Sequence, residues 1–200
     1  VASSQAEATD DIAVLRTRLR QTLALPAETS AKRDRASIIS RGAGDRIPSL
    51  WTPGKGRPLL VVNPEGSPAG SALPEVERAR KAKRPVLVVQ VFQTGAAVAP
   101  RQRTHNHWLT FNVSDDQARV HDIVAALATL PASCADVLAV GNARYWAAAA
   151  VAATGGRHRL AFDATTLAAD DDALDGACFI PGFQRVGGMQ AVTRLLAAGS

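Results

Sequence analysis

The residues best placed for chemistry stand together at Gly141-Asn142-Ala143-Arg144-Tyr145. The apolar run Asp136 to Val140 precedes them and an alanine-rich stretch follows to Ala153, so a buried strand is expected to turn sharply into a helix. A junction of this kind lifts a side chain above the edge of a sheet, where a serine or cysteine becomes an exposed nucleophile. Counted from the glycine, the lifted position is Ala143, whose methyl has no lone pair to give. A helix start also presents backbone N–H groups and a positive dipole end to an anion, and Arg144 adds charge. Asn142, Ala143 and Arg144 are therefore candidate contacts for a small anionic ligand. Tight strand-on-helix packing accounts equally well for a small residue at 143.

Other groups invite chemistry less specifically. Glu65-Gly66 follows the apolar run Pro58 to Val62 and would supply N–H donors to an oxyanion. The simpler reading is a strand-exit turn shaped by Pro64 and Gly66, and it is preferred. His105 and His107 are two apart, a spacing at which imidazoles share a zinc, but a third ligand is missing. With Trp108 they read instead as a polar rim loop, open to carbohydrate. Asp163 follows a short fourth strand. Asp170 to Asp172 and Asp175 lack the glycine turn and distal glutamate of a calcium loop and read as a solvated helix start. Asp115 and Asp116 read as helix caps. Arg119 and Asp122 read as an i,i+3 pair worth about 0.2–0.5 kcal/mol if exposed. Ser67 and Ser71 are rim serines without a histidine partner in sequence. Neither a metal nor a cofactor is expected.

Elements that would position these groups are legible along the chain. Asp10-Asp11 opens an apolar helical face, Ile12 to Leu23, that Pro26 ends. Ser37 to Ser40 and Arg46 to Trp51 form a hairpin whose second strand Pro48 should place at an edge or displace. Strands at Pro58–Val62, Val86–Phe92, Asp136–Val140 and Arg159–Phe162 alternate with helices at Ala72–Arg84, Gln117–Leu130 and from Arg144. Ser114 to Asp116 cap the middle helix. Continuous apolar strands between amphipathic helices specify an α/β fold with a mainly parallel sheet and helices on both faces. Its carboxyl rim would gather the loops beginning at Asn63, Gln93, Gly141 and Asp163.

Two hundred residues, 46% apolar and 20% charged, suit one soluble domain: an N-terminal helix and hairpin over 1–57, then the alternating unit over 58–200. No apolar run reaches the ~18–20 residues that span a bilayer, and no membrane partner is expected. The net charge of +5 is spread out, apart from Arg78 to Arg84, which reads as a solvated helix face. Nucleic acid is not an expected partner, since no aromatic platform accompanies the charge. Cys134 and Cys178 fit no zinc spacing and read as two buried thiols, a disulfide staying open if the protein is exported. Starting at Val1 rather than a methionine, the chain is expected to be a processed or engineered form. Its compartment stays open, a secreted or periplasmic one being slightly favoured over the cytoplasm.

In order of pieces the chain resembles an alpha/beta hydrolase, and within that superfamily the bacterial acetyl xylan esterases. The resemblance rests on Leu23-Ala-Leu-Pro26 with the hairpin, Asn63-Pro-Glu-Gly66, Phe111-Asn112 through Asp122-Ile123, the strand–elbow–helix at 136–153, and Phe179-Ile-Pro-Gly through Ala191. It implies an ester hydrolase whose triad runs nucleophile, acid, histidine, with Asp163 at an acid-like position after the fourth strand. Three features depart from it. Ala143 stands for the nucleophile, Tyr145 for a small residue, and no histidine follows Asp163. The chain also stops after Leu195-Leu196, where a further core strand should begin, so a truncated sheet is expected. The resemblance thus implies a non-catalytic hydrolase-like protein acting as a binding or structural domain, with a carbohydrate, a small anion, a second copy or an active esterase as partner. The alternative is one part of a serine carboxylesterase completed by another segment or chain.

Overall fold

The computed structural model describes residues 2–35, 38–41, 44–100, 112–131, 134–155, 158–167, 174 and 176–199. Its strands are β1 (Ala31–Arg33), β2 (Ile38–Arg41), β3 (Arg46–Thr52), β4 (Leu59–Val62), β5 (Val86–Val89), β6 (Asp136–Ala139) and β7 (Arg159–Leu160). Its helices are α1 (Ala2–Thr22), α2 (Ser67–Ser71), α3 (Pro74–Lys81), α4 (Asp115–Ala128), α5 (Ala143–Thr154) and α6 (Gly188–Ala198). The strands form one sheet in the order β1-β2-β3-β5-β4-β6-β7. β5, β4, β6 and β7 run parallel, and β3, β2 and β1 continue the sheet antiparallel from β5.

Period-two geometry sorts the apolar strands onto two faces. Leu60, Val62, Leu87, Val89, Val137 and Ala139 belong to the larger core, with side chains from α1, α4, α5 and α6. Leu59, Val61, Val86, Val88 and Leu138 face the other way, onto Val76 and Ala79 of α3. Helices therefore cover both faces, as the continuous apolar runs required. Helix α5 lies between α4, α6 and the sheet, with Tyr145 through Ala153 all buried. A helix apolar on every side belongs inside, and its alanines let three layers approach closely.

Several boundaries differ from the sequence expectations. α1 begins at Ala2, well before Asp10. The helix expected over 72–84 is the shorter α3, opened by Pro74, and a further short helix, α2, stands in the stretch 63–70 expected to be loop before it. β3 is neither an edge nor displaced. Pro48 forms the end of its ladder with β5, where its carbonyl accepts the Gln90 N–H at 2.9 Å and only its own missing N–H is lost. The edge beyond it is β1, which the sequence did not announce. Ser114 rather than Asp115 or Asp116 caps α4, in a capping box: its hydroxyl takes the Gln117 N–H at 3.1 Å and Gln117 Oε1 takes the Ser114 N–H at 2.8 Å. Cys178 is buried, Cys134 half-buried, and both are free thiols.

One close approach fixes how the hairpin joins the parallel half. At Gly54 a Cβ would lie 2.4 Å from the Arg84 carbonyl carbon and 2.5 Å from the Pro85 nitrogen. Backbone cannot yield as a flexible side chain does, so Gly54→Ala should destabilise by at least about 2 kcal/mol in urea unfolding. An unchanged midpoint would show that the two segments are not held this tightly.

Candidate functional site

The elbow forms as a strand, a sharp turn and a helix. β6 ends at Ala139, Gly141 adopts φ 53°, and α5 begins at Ala143. Gly141 is exposed and Ala143 has no exposed surface. The lifted position is thus Gly141, two residues earlier than the sequence count placed it. Ala139 and Ala143, both buried, are then the small residues flanking the turn, and Tyr145 belongs to the core rather than to the elbow.

Around this turn most N–H groups are already committed. Ala143 donates to Val140 O at 3.1 Å, Arg144 to Gly141 O at 3.3 Å and Tyr145 to Asn142 O at 3.1 Å. The Arg144 Nε also returns to Gly141 O, at 3.2 Å. The Asn142 N–H is left without a partner among the described residues. Across from it, Glu65 N–H donates to Asn63 Oδ1 at 2.8 Å and Gly66 N–H to Asn63 O at 3.0 Å. Glu65 and Gly66 therefore form a self-satisfied turn, not a pair of waiting donors.

Three exit loops meet here. A Cβ on Gly141 would touch Pro64 Cγ at 3.5 Å, and one on Gly66 would stand 2.9 Å from the Gly95 Cα. Gly66 and Gly95, at φ 95° and 50°, give this contact its room and its backbone geometry. Gln93 between them also has positive φ, 54°, and its side-chain amide holds both backbone groups of Ala99 at 3.0 Å.

Asp163 does not join this group. Fully exposed, it caps a short turn, accepting the Thr165 N–H at 2.9 Å and hydroxyl at 2.7 Å, which hold its carboxyl below the usual range. His121 Nε2 is bonded to Leu23 O at 2.6 Å, and His158 Nδ1 accepts the Ala135 N–H at 3.1 Å, at the amino end of β7. Burial depresses both imidazoles below their ordinary pKa. His105, His107 and Trp108 lie outside the described residues, as do Asp170 to Asp172 and Asp175.

The polar network behind the rim differs from the expected Arg119–Asp122 pair. Arg119 NH1 bonds Asp116 Oδ1 at 2.7 Å, its Nε bonds Phe92 O at 3.0 Å, and the guanidinium lies over the Trp146 ring at 4.5 Å. Asp116 Oδ2 takes the Phe179 N–H at 2.7 Å, and Ser114 donates to Phe179 O at 2.8 Å. Asp122 instead accepts the Phe92 N–H at 2.7 Å and pairs with Arg41 at 3.4 Å, Arg41 also meeting Asp45 at 2.9 Å. Helical spacing marks Asp116, Arg119 and Asp122 as one face, but it does not say which pair closes.

The described residues thus form a mixed sheet with a strand–turn–helix junction at its carboxyl rim. The chain is similar in structure to acetyl xylan esterase 1 from Thermoanaerobacterium sp. JW/SL YS485, at 12% identity and TM-score 0.46, over 75% of this chain and 56% of that one. It is similar to the acetyl xylan esterase from Paenibacillus sp. R4, at 13% and 0.46, over 95% and 73%. An alpha/beta hydrolase from Sphaerobacter thermophilus DSM 20745 matches at 16% and 0.44, over 81% and 71%. The chain thus spans little more than half the length of the first. No family model and no curated protein matches it.

Two measurements test the network. Asp116→Ala and Arg119→Ala should each cost about 3 kcal/mol, and the double variant clearly less than their sum, because either single change strands a buried charge. Additive losses would mean the pair is not coupled. Burial raises the Asp122 carboxyl from 3.8 to about 6, against the lowering effects of Arg41 and the Phe92 N–H. The native state then holds a proton that the unfolded chain has released, so stability should fall as pH rises from about 4 to 6 and level off above. Asp122→Asn should remove that slope, and a slope unchanged in the variant would refute the assignment.

Proposed function

We propose that this chain is an acetyl xylan esterase-like hydrolase-fold domain that binds at its rim without cleaving. One observation carries the reading: the exposed, left-handed position of the elbow is Gly141, which has no side chain. Nucleophilic ester cleavage needs an oxygen or sulfur at that point, with a base beside it. Ala143, the alternative, offers a buried methyl. The Glu65 and Gly66 N–H groups are spent on Asn63, which further weakens an oxyanion site there. The free Asn142 N–H beside Arg144 favours contact with one anionic or hydroxyl group of a ligand, of the kind a carbohydrate carries.

Purified protein should hydrolyse 4-nitrophenyl acetate no faster than a heat-denatured control, and a fluorophosphonate should label no serine. Robust turnover, or labelling of a single serine, would overturn the reading. Gly141→Ser restores a hydroxyl at the lifted position, at about 1–2 kcal/mol of backbone strain. It should gain no activity. A large gain would favour the second reading, an esterase whose remaining groups come from another segment or chain.

A further inference from the structure

A cleft of about 750 Å³ runs beside β7, between that strand and α6. Clefts of this size hold small molecules, and their few convergent polar groups set the ligand's orientation. Arg159, the first residue of β7, lines one end. It is exposed, and its guanidinium has no hydrogen bond or ion pair among the described residues. Arg57 lines the same end, sharing Asp136 with Arg84: Arg57 Nε meets Oδ1 at 2.9 Å and Arg84 NH2 meets Oδ2 at 2.5 Å.

His158 stands beside them with Nδ1 accepting from Ala135 N–H, so its ring proton is on Nε2, a donor. The floor and wall beyond are apolar, from Leu160, Phe162 and Leu196. At the opposite end stands the Asp163 carboxylate. The cleft is therefore polarised: cations and a donor at one end, hydrocarbon along its length, an anion at the other.

We propose that this cleft binds an amphipathic monocarboxylate, its head on Arg159 and its hydrocarbon along Leu160, Phe162 and Leu196. An anion turned the other way would meet Asp163, so the head group has one favourable orientation. A neutral analogue lacks the charge-assisted bond that an unpaired guanidinium offers. The site is separate from the elbow, and its occupancy does not depend on whether esters are cleaved there.

Isothermal titration with hexanoate, octanoate, decanoate and 4-phenylbutanoate tests this, with octan-1-ol as the neutral control. At least one carboxylate should saturate at one site per chain, and octan-1-ol should bind at least tenfold more weakly. Arg159→Gln, at an exposed position, should weaken the carboxylate tenfold or more. Ala197→Trp, on the exposed face of α6 lining the cleft, should abolish binding while circular dichroism stays unchanged. No saturation by any of the four acids would overturn the proposal. So would equal affinity for octan-1-ol, or full affinity in either variant.

Discussion

The carboxyl half of the molecule depends on one part-buried ion pair, Arg119 with Asp116. Burying two opposite charges is unfavourable unless their remaining donors and acceptors are also met. Here they are. Arg119 spends its other nitrogens on the Phe92 and Gln93 carbonyls and its face on Trp146, while the second oxygen of Asp116 takes the Phe179 N–H. One pair thereby ties together the exit of β5, helices α4 and α5, and the returning chain at Phe179. Asp122 completes the arrangement by accepting the Phe92 N–H, so α4 holds the peptide groups on both sides of the Phe92 Cα.

From that fixed point the rim follows in order. With Phe92 and Gln93 held, the loop after β5 brings Gly95 against Gly66, at a separation only glycines allow. The turn at Asn63 to Gly66 then closes on its own hydrogen bonds and sets Pro64 beside Gly141. What results is a rim on which three exit loops meet around an exposed glycine, Gly141, in the left-handed conformation. Asp163, bound to Thr165, belongs to the β7 side of the molecule and faces the cleft there instead.

The sequence made the apolar strands and the elbow legible because burial on both faces leaves long aliphatic runs, and a glycine between such a run and a helix marks a turn. It did not reveal the register within that turn. A glycine serves equally as the outer small residue of an elbow or as its lifted residue, and only the φ of Gly141 with the burial of Ala143 separates the two. Pro48 misled for a related reason, since proline forbids one hydrogen bond and a strand's end has one to spare. The Arg119 pairing was hidden because three charged residues on one helix face permit two pairings, and long-range partners, Phe92 and Phe179, decide between them. β1, three residues with two cations, carried no periodic signal at all.

Gly141, not Ala143, stands outermost at the elbow, and thiol accessibility distinguishes the two positions. Gly141→Cys and Ala143→Cys variants would be treated in the native state with a charged methanethiosulfonate, and modification read at each peptide by mass spectrometry. The Gly141→Cys protein should be modified rapidly at that position, the Ala143→Cys protein only on unfolding. Fast native modification at 143 with protection at 141 would instead make residue 143 the outermost position.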